Sequence, residues 1–269
     1  IDTCRDHLVT SRRILALLGA GLSASSGLPT FRGAGGLWNS HDVKQLATPA
    51  AFEEDPALIW AFNIERIKAA REARPNKAHV ALAQLARQKP DFLAISMNID
   101  GLSERANHPS SQIHNLHRSL SEVKCTRCQL LLKGAQAEHA ISSLLCHPPD
   151  QSLQLSDIPH CPSCQAGLLR PGVVWFTESI PQDTLKAIYD WIEAVPTIDT
   201  MLVIGTSAEV YPGTAYIEAA RKKGARVVVV NIEPEDPSVL GLEEQDWYIR
   251  GDAAEMLPDI LVDIIGDAG

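Results

Sequence analysis

The sequence predicts an α/β fold built on a doubly wound parallel sheet, because short apolar runs alternate with amphipathic helical patterns. Four runs have the length and largely apolar character of strands buried on both faces, at 13–18, 91–96, 200–204 and 225–230. Helical patterns follow at 181–192, 214–223 and 253–265. Strands joined through helices imply right-handed crossovers, which place ligands beyond the carboxyl ends of the strands. The larger part of the chain is therefore predicted to be Rossmann-like.

Two segments interrupt this alternation and predict a smaller domain. Residues 33–89 open with a glycine-rich stretch and continue with apolar side chains at helical spacing. Residues 119–169 carry two CxxC pairs around a polar, proline-bearing middle. We therefore expect a sheet domain of 1–32, 90–118 and 170–269, a helical module with a cofactor loop at 33–89, and a zinc-binding module of the ribbon type at 119–169.

Charge and cysteine content exclude several classes of protein. The net charge of −9 over 269 residues argues against direct binding of nucleic acid, which needs a surplus of Lys and Arg. No run of about 18 apolar residues occurs, so the sequence predicts no membrane span. CxxC pairs without a secretory signal indicate metal binding in an intracellular compartment. We expect a monomer, and the sequence leaves mitochondrion, cytoplasm and nucleus open.

The four paired cysteines predict a metal site. Cys125 and Cys128 are followed after 32 residues by Cys161 and Cys164. Four thiolates converging in this way form a tetrahedral shell that suits zinc and leaves no open position for a water. The sequence thus predicts one structural zinc per chain. The remaining cysteines, at 4 and 146, have no partner spacing and are expected to be free thiols.

Three short stretches at predicted strand ends carry polar or glycine-rich patterns. Residues 19–27 form a turn of the type GxG, whose small residues let the backbone approach a pyrophosphate, although a plain structural turn fits equally well. Asn98 and Asp100, two apart, place a neutral and an acidic side chain on one side of the chain, as an Asx turn also does. His117 is one of nine histidines, and spacing alone does not separate it from His114.

The string GAGLSASSGLPTFRG at 19–33 resembles the NAD-binding signature of the sirtuins. Further stretches resemble family motifs in the same order: SMNID at 96–100, LHRS at 116–119, RPGVVWFTE at 170–178 and GTS at 205–207. The resemblance extends from about residue 13 to 261. It implies an enzyme that uses NAD to remove acyl groups from lysine side chains of proteins, with nicotinamide and O-acyl-ADP-ribose as products.

The resemblance also implies roles for individual residues. His117 is implied to be the general base on a ribose hydroxyl, Asn98 to order the ribose and a water, and Asp100 to hold the nicotinamide carboxamide. The implied NAD contacts comprise these last two and Gly19, Ala20, Gly21, Ser23, Ala24, Pro29, Thr30, Phe31, Arg32, Trp38, Met97, Ile99, Gly205, Thr206, Ser207, Asn231, Ile232, Glu233 and Ala253. The implied substrate contacts are Ala47, Asn63, Arg66, Val174, Trp175, Phe176, Thr177 and Glu178, with 170–178 expected to pair as a strand with the substrate peptide.

Residues 33–38 and 46–49 are most similar to the sirtuin class that removes succinyl, malonyl or glutaryl groups. That class reads the acyl carboxylate with a Tyr and an Arg and widens its pocket with an Ala. Ala47 and Arg66 match, whereas Asn63 stands in place of the Tyr. Arginine binds carboxylates by bidentate charge-assisted hydrogen bonds. Plain deacetylation, decrotonylation and a solvated, non-functional Arg66 stay open.

Three residues depart from the family pattern. Met97 replaces a Gln and is expected to lack a polar contact to the nicotinamide ribose. Arg118 replaces a Gly and is expected to lower the pKa of His117 or to crowd the site. Thr177 replaces a Gly and is expected to narrow the peptide cleft. An ADP-ribosyl transferase and a non-catalytic NAD or ADP-ribose sensor therefore remain alternatives to a deacylase that acts on acylated lysine of histones or metabolic enzymes.

Overall fold

A computed structural model describes residues 1–30, 37–39, 41–148, 150–207, 213–232 and 241–266. In chain order its strands are β1 (Ile14–Leu18), β2 (Leu37–Trp38), β3 (His41–Asp42), β4 (Phe92–Ser96), β5 (Ile113–Asn115), β6 (Glu122–Cys125), β7 (Leu131–Lys133), β8 (Leu169–Pro171), β9 (Thr200–Ile204), β10 (Arg226–Asn231) and β11 (Trp247–Arg250). Its helices are α1 (Asp2–Thr10), α2 (Val43–Leu46), α3 (Pro49–Glu54), α4 (Pro56–Glu72), α5 (Lys77–Gln88), α6 (Leu102–Arg105), α7 (Gly134–Ala140), α8 (Ser142–Leu145), α9 (Gln182–Glu193), α10 (Gly213–Lys222) and α11 (Ala253–Ile265).

Six of these strands form one parallel sheet in the order β11-β10-β9-β1-β4-β5. This order confirms the predicted doubly wound sheet. The four central strands coincide with the predicted apolar runs, and every residue of β1, β4 and β9 is buried. The two outer strands, β5 and β11, were not predicted because they have three and four residues and mix apolar with polar side chains.

Helices cover both faces of the sheet. On one face α1, α5 and α11 pack against side chains such as Ile14, Ala16 and Leu18. On the other face α9 and α10 pack against the alternate side chains, Leu15 and Leu17. Because successive side chains of a strand point to opposite faces, the two hydrophobic cores are separate.

A smaller unit has its own core, shared by both interrupting segments. Strands β7-β6-β8 form an antiparallel sheet, and helices α2, α3, α4, α7 and α8 pack against the same apolar cluster. Trp60 of α4 is fully buried there, and its Nε1 donates a hydrogen bond to the carbonyl oxygen of Leu169 in β8 at 2.9 Å. Helices α2 to α4 and the cysteine-bearing segment thus pack around one core.

Two expectations about boundaries need correction. Helix α5 belongs to the larger unit, because Ala78, Leu82 and Leu85 lie in the core that α11 shares with the sheet. The expected strand over 170–178 ends at Pro171, which lies in the small sheet beside Val123. Beyond it the N–H groups of Val174 and Phe176 bond to carbonyls elsewhere in the chain, and no continuous strand forms.

Among the described residues, no helix combines the length and the apolar content needed to cross a bilayer.

Candidate active-site cleft

A cavity of about 660 Å³ opens where the carboxyl ends of β1, β4, β9 and β10 face the smaller unit. Its lining draws residues from every predicted motif. They include Gly19, Ala20, Gly21, Ala24, Thr30, Lys44, Ala47, Arg66, Met97, Asn98, Ile99, His117, Val173 to Ile180, Gly205, Thr206, Ser207, Asn231, Ile232 and Ala253. Side chains that are up to about 230 residues apart in the sequence therefore surround one space, as ligand sites of open α/β sheets do.

The glycines of the first turn are required by a close contact between two loops. A Cβ on Gly21 would lie 2.7 Å from Cα of Gly205, and a Cβ on Gly19 would lie 2.4 Å from Cβ of Thr206. The N–H of Gly21 also donates to the carbonyl oxygen of Gly205 at 2.9 Å. Room for a pyrophosphate was the expected reason for these glycines, but the contact with the β9 loop already excludes a side chain at both positions.

His117 lies in the cavity wall with one ring nitrogen fixed. Its Nδ1 is 2.9 Å from the carbonyl oxygen of Met97, so Nδ1 carries the proton and Nε2 keeps its lone pair. Burial lowers the pKa of His117 below 6.5, and the hydrogen bond to Met97 opposes this only in part. The imidazole is therefore neutral at pH 7 and able to accept a proton, as a general base must.

Arg118 does not act on His117 as expected. Its guanidinium pairs with Glu122 at 3.2 Å, and the lowered pKa of His117 is due to burial, which outweighs the opposing hydrogen bond to Met97. The residue has φ = 62°, the left-handed region that favours glycine. The family glycine at this position thus has a conformational reason, and arginine there costs about 1–2 kcal/mol of backbone strain.

A buried polar network supports the SMNID stretch. Asp100 accepts hydrogen bonds from Ser23 Oγ at 2.7 Å and from the N–H of Leu102 at 2.9 Å. Asn98 Nδ2 donates to the carbonyl oxygen of Gly19 at 3.0 Å. Asn98 lines the cavity, whereas Asp100 and Ser23 are absent from its described lining. The last two therefore hold the loop, and their contact with a nicotinamide stays a prediction.

His79 and Asn76 extend this network and were missed from the sequence. His79 is 1% exposed, its Nε2 lies 3.4 Å from Ser23 Oγ, and burial lowers its pKa to about 4. Asn76 caps α5 and donates from Nδ2 to the carbonyl oxygen of Leu22 at 2.8 Å. An Asn before an apolar helical pattern is an N-cap signal that could have drawn attention to this pair.

Three predicted NAD contacts, Phe31, Arg32 and Glu233, lie outside the described residues. Two others, Pro29 and Trp38, are described but are absent from the described cavity lining. Trp38 packs 5.3 Å from the ring of Phe62, and its Nε1 donates to Glu65 at 2.6 Å. Trp38 therefore packs against the core of the smaller unit.

The predicted acyl-reading residues separate into two groups. Ala47 and Arg66 line the cavity, and their contact with an acyl group stays a prediction. Asn63 does not: it is 1% exposed, and its Nδ2 donates to the carbonyl oxygen of Ile59 one turn earlier at 2.8 Å. The expectation that Asn63 donates a hydrogen bond to an acyl group is therefore wrong, because its amide is buried outside the described lining and one of its N–H groups bonds the helix backbone.

Glu178 supports the wall formed by 173–178. Arg170 donates two hydrogen bonds to its carboxylate, at 2.9 and 2.7 Å, and the N–H of Trp175 donates a third at 2.9 Å. The guanidinium of Arg170 also stacks on the ring of Trp175 at 3.6 Å. Glu178 lines the cavity and its oxygens position this wall, while its contact with a substrate stays a prediction. Thr177 has φ = 71°, which explains the family glycine there.

Acidification should weaken the fold through Glu178. Burial raises its pKa, but the hydrogen bonds from Arg170 and Trp175 and the charge of Arg170 lower it to about 2 from 4.5. Because the unfolded state binds the proton more tightly, this contribution is complete above about pH 4.5 and is lost as pH falls towards 2. We expect about 2 kcal/mol of unfolding free energy to disappear over that window. Chemical denaturation at several pH values measures it.

The matched variant Glu178→Gln should lose about 3 kcal/mol at pH 7, because it leaves Arg170 buried without its partner. Its unfolding free energy should then depend less on pH between 4.5 and 2 than that of the native chain. Glu138→Gln removes an ion pair whose side chains are both about half exposed, and should change little. Parallel pH curves for native protein and Glu178→Gln would contradict the assignment.

The four cysteines converge as predicted. Their sulfur atoms all lie within 4.8 Å of one another, and Cys125–Cys164 and Cys128–Cys161 are each 3.6 Å apart. These separations are too long for disulfides and are close to the roughly 3.8 Å expected between thiolates bound tetrahedrally to zinc. Backbone N–H groups of residues 127 and 128 point at Cys125 Sγ, 3.2 and 3.3 Å away. The donor set fits a closed, structural zinc site.

A doubly wound sheet, a glycine-lined cleft with a histidine at its wall and a four-cysteine unit together define a protein of sirtuin architecture. The sequence profile of the Sir2 family matches residues 19–212. The chain belongs to the Sir2 family.

Relatives match over nearly the whole chain. An "NAD-dependent protein deacylase" of Candida albicans is 40% identical over 98% of this chain and 97% of its own length. A protein of the same name from Pyrococcus furiosus is 38% identical over 96% of this chain and 95% of its own. A solved complex of a Sir2 homologue with NAD has a TM-score of 0.82, 32% identity and coverage of 98% and 93%. The predicted family and fold are confirmed.

Proposed function

We propose that this protein is an NAD-dependent protein lysine deacylase. The observation that carries the proposal is His117, neutral, with its free Nε2 at the wall of a cleft that contains the family's NAD-binding motifs. The relatives named as NAD-dependent protein deacylases, and a Sir2 complex with a p53 peptide and NAD at 28% identity and a TM-score of 0.77, support it.

Residues at different positions along the cleft have different functions in this proposal. NAD, when bound, supplies an ADP-ribosyl group with nicotinamide as its leaving group. Gly19 to Gly21, Gly205 to Ser207 and Asn231 line the sheet side, where a dinucleotide fits. Asn98 fixes the loop beside His117, and His117 accepts the ribose hydroxyl proton, so that the ribose can take up the acyl group. Val174 and Phe176 wall the entry of the acyl-lysine.

Met97 fits this scheme better than the sequence indicates. Its side chain lines the cavity, but its carbonyl oxygen is the acceptor that fixes the tautomer of His117. That function belongs to the backbone and does not depend on the side chain. Replacement of the family's Gln is therefore compatible with a working base.

Mass spectrometry tests the function directly. One lysine peptide carrying acetyl, crotonyl, malonyl, succinyl or glutaryl groups is incubated with the protein, with and without NAD. NAD-dependent loss of an acyl group with matching O-acyl-ADP-ribose is the expected result. ADP-ribosylated protein without O-acyl-ADP-ribose would identify a transferase, and NAD binding without nicotinamide release would identify a sensor.

The acyl group that we propose is a dicarboxylic one, of the succinyl, malonyl or glutaryl type. Arg66 supports this, since its guanidinium lines the cavity and burial lowers its pKa to about 10, still well above neutral pH. The burial of Asn63 favours plain deacetylation as the second candidate, because it removes one of the expected carboxylate donors.

The variant Arg66→Met should distinguish a dicarboxylic acyl group from an acetyl group as the preferred substrate. If Arg66 binds an acyl carboxylate, kcat/KM should fall about 10- to 100-fold for succinyl- and glutaryl-lysine and little for acetyl-lysine, as expected for lost charge-assisted hydrogen bonds. Lys68→Met, an exposed change on the same helix outside the described lining, is the control. An equal loss with all acyl groups would exclude Arg66 as the residue that binds the acyl carboxylate.

We also propose that the protein is a monomer, which sedimentation velocity tests.

A further inference from the structure

The acyl-lysine end of the cleft carries a second cation that the family motifs do not include. Lys44 of α2 lines the same cavity as Ala47 and Arg66. Lys44 is exposed, whereas Arg66 is half-buried. Lys44 therefore lies at the rim and Arg66 deeper.

Lys44 differs in its pairing from several other lysines of this acidic chain. Lys124, Lys133, Lys186 and Lys223 each pair with a carboxylate within 3.3 Å. Among the residues that the structure describes, Lys44 Nζ has no hydrogen-bond or ion-pair partner; only its backbone N–H bonds, to Asp42. An ammonium group with three donors thus faces a ligand cavity unpaired.

The carboxylates that line the cavity do not compensate this charge. Glu178 is held by Arg170 and Lys124. Asp252 caps α11 on the far side of the cleft, where it accepts hydrogen bonds from Ser25 and Ala254. Neither of these two carboxylates of the described lining is therefore paired with Lys44.

Lys44 is also close in structure to the wall along which we expect the substrate to lie. The N–H of Phe176 donates to the carbonyl oxygen of Ala47 at 2.9 Å, which joins the end of α2 to the 173–178 segment. Lys44 is three residues before Ala47, one helical turn away. A peptide beside Phe176 would pass this turn of α2.

We propose that Lys44 is a specificity-determining residue that binds a carboxylate of the substrate. This inference rests on the proposed deacylase function. The carboxylate has two possible sources, an acidic side chain next to the acyl-lysine or the end of a dicarboxylic acyl group. The position of Lys44 favours the first, because Lys44 is the more exposed of the two cations and Arg66 is the more buried.

A two-by-two peptide set distinguishes the sources. The peptides share one sequence, carry acetyl or succinyl on the lysine, and have Asp or its uncharged isostere Asn as both neighbours of that lysine. We measure kcat and KM for the native protein, Lys44→Met, Lys44→Glu and the control Lys68→Met. Lys44→Met should raise KM about three- to tenfold for Asp-flanked peptides, and Lys44→Glu should raise it further, with kcat and all Asn-flanked acetyl values unchanged.

Each outcome decides the matter. A loss that follows Asp assigns the carboxylate to the peptide, and a loss that follows succinyl assigns it to the acyl group. A loss equal for all four peptides, or none, overturns the proposal. If the native protein turns over no peptide, the deacylase function fails; fluorescence anisotropy of the labelled peptides then still tests whether Lys44→Met weakens binding of the carboxylate-bearing ones selectively.

Discussion

Replacing His117 with alanine should lower kcat about 10²- to 10⁴-fold for every acyl group, the range that general-base catalysis contributes. The expected effect is uniform because His117 acts on the ribose and not on the acyl chain. Its pKa is lowered by burial, so native activity should be constant at neutral pH and fall only on acidification, when Nε2 takes up a proton. Steady-state kinetics from pH 5 to 8 measure both effects.

His114→Ala is the matched control for this prediction. His114 lies three residues earlier in β5, is half-buried, and is absent from the described cavity lining. Its loss should leave kcat within about twofold and the acidic limb of the pH profile in place. A loss of turnover in His114→Ala equal to that in His117→Ala, or full activity in His117→Ala, would remove His117 from its proposed role.

The sequence predicts the central strands of the sheet better than its outer strands and the placement of its helices. Continuous apolar runs predicted the central strands correctly, because a strand buried on both faces carries its signal in every residue. The outer strands β5 and β11 escaped, since only tertiary pairing with β4 and β10 distinguishes three or four mixed residues from a loop. Helix α5 was assigned to the wrong unit because its amphipathic pattern reveals a buried face but not which core buries it.

The candidate site likewise contains residues that the sequence predicts and residues that only tertiary contacts identify. Asn98 and His117 were predicted because the neighbouring residues of each sequence motif identify the position. His79 was missed, since its function as a partner of Ser23 arises from the approach of α5 to the first turn. The prediction for Asn63 was wrong because alignment with the family motif gives the location of a residue on the helix. It does not show whether the side-chain amide bonds the backbone of the same helix. Lys44 belongs to no motif, and only the structure shows that it lines the same cavity as Arg66.

Removing the zinc site should have the largest effect on stability. Structural zinc contributes about 10–16 kcal/mol in small zinc-binding peptides at pH 7, which is as large as the whole stability of a typical domain. Cys164→Ser should therefore lower bound zinc from about one per chain to near zero and unfold the smaller unit. Metal analysis and limited proteolysis measure this, with new cleavage expected within 119–169.

The larger unit should survive the loss, because its two cores contain none of the four cysteines. Activity should not survive, since Val173 and Trp175, which line the cleft, belong to the core that the cysteines help to close. We expect Cys164→Ser, or the chelated native protein, to show a first thermal transition at lower temperature while the sheet melts as before. Cys146→Ser, at an exposed cysteine outside the cluster, should behave as native.

Gly167→Ala keeps all four cysteines and tests the geometry of the site. A Cβ at this position would lie 2.5 Å from Cys125 Sγ and 3.1 Å from the backbone nitrogen of Arg127. The thiolate must then move out of the tetrahedral arrangement, so zinc should bind more weakly and the smaller unit should open at lower chelator concentration than in the native protein. Unchanged chelator sensitivity in both Gly167→Ala and Cys164→Ser would show that the cysteines stabilise this unit without metal.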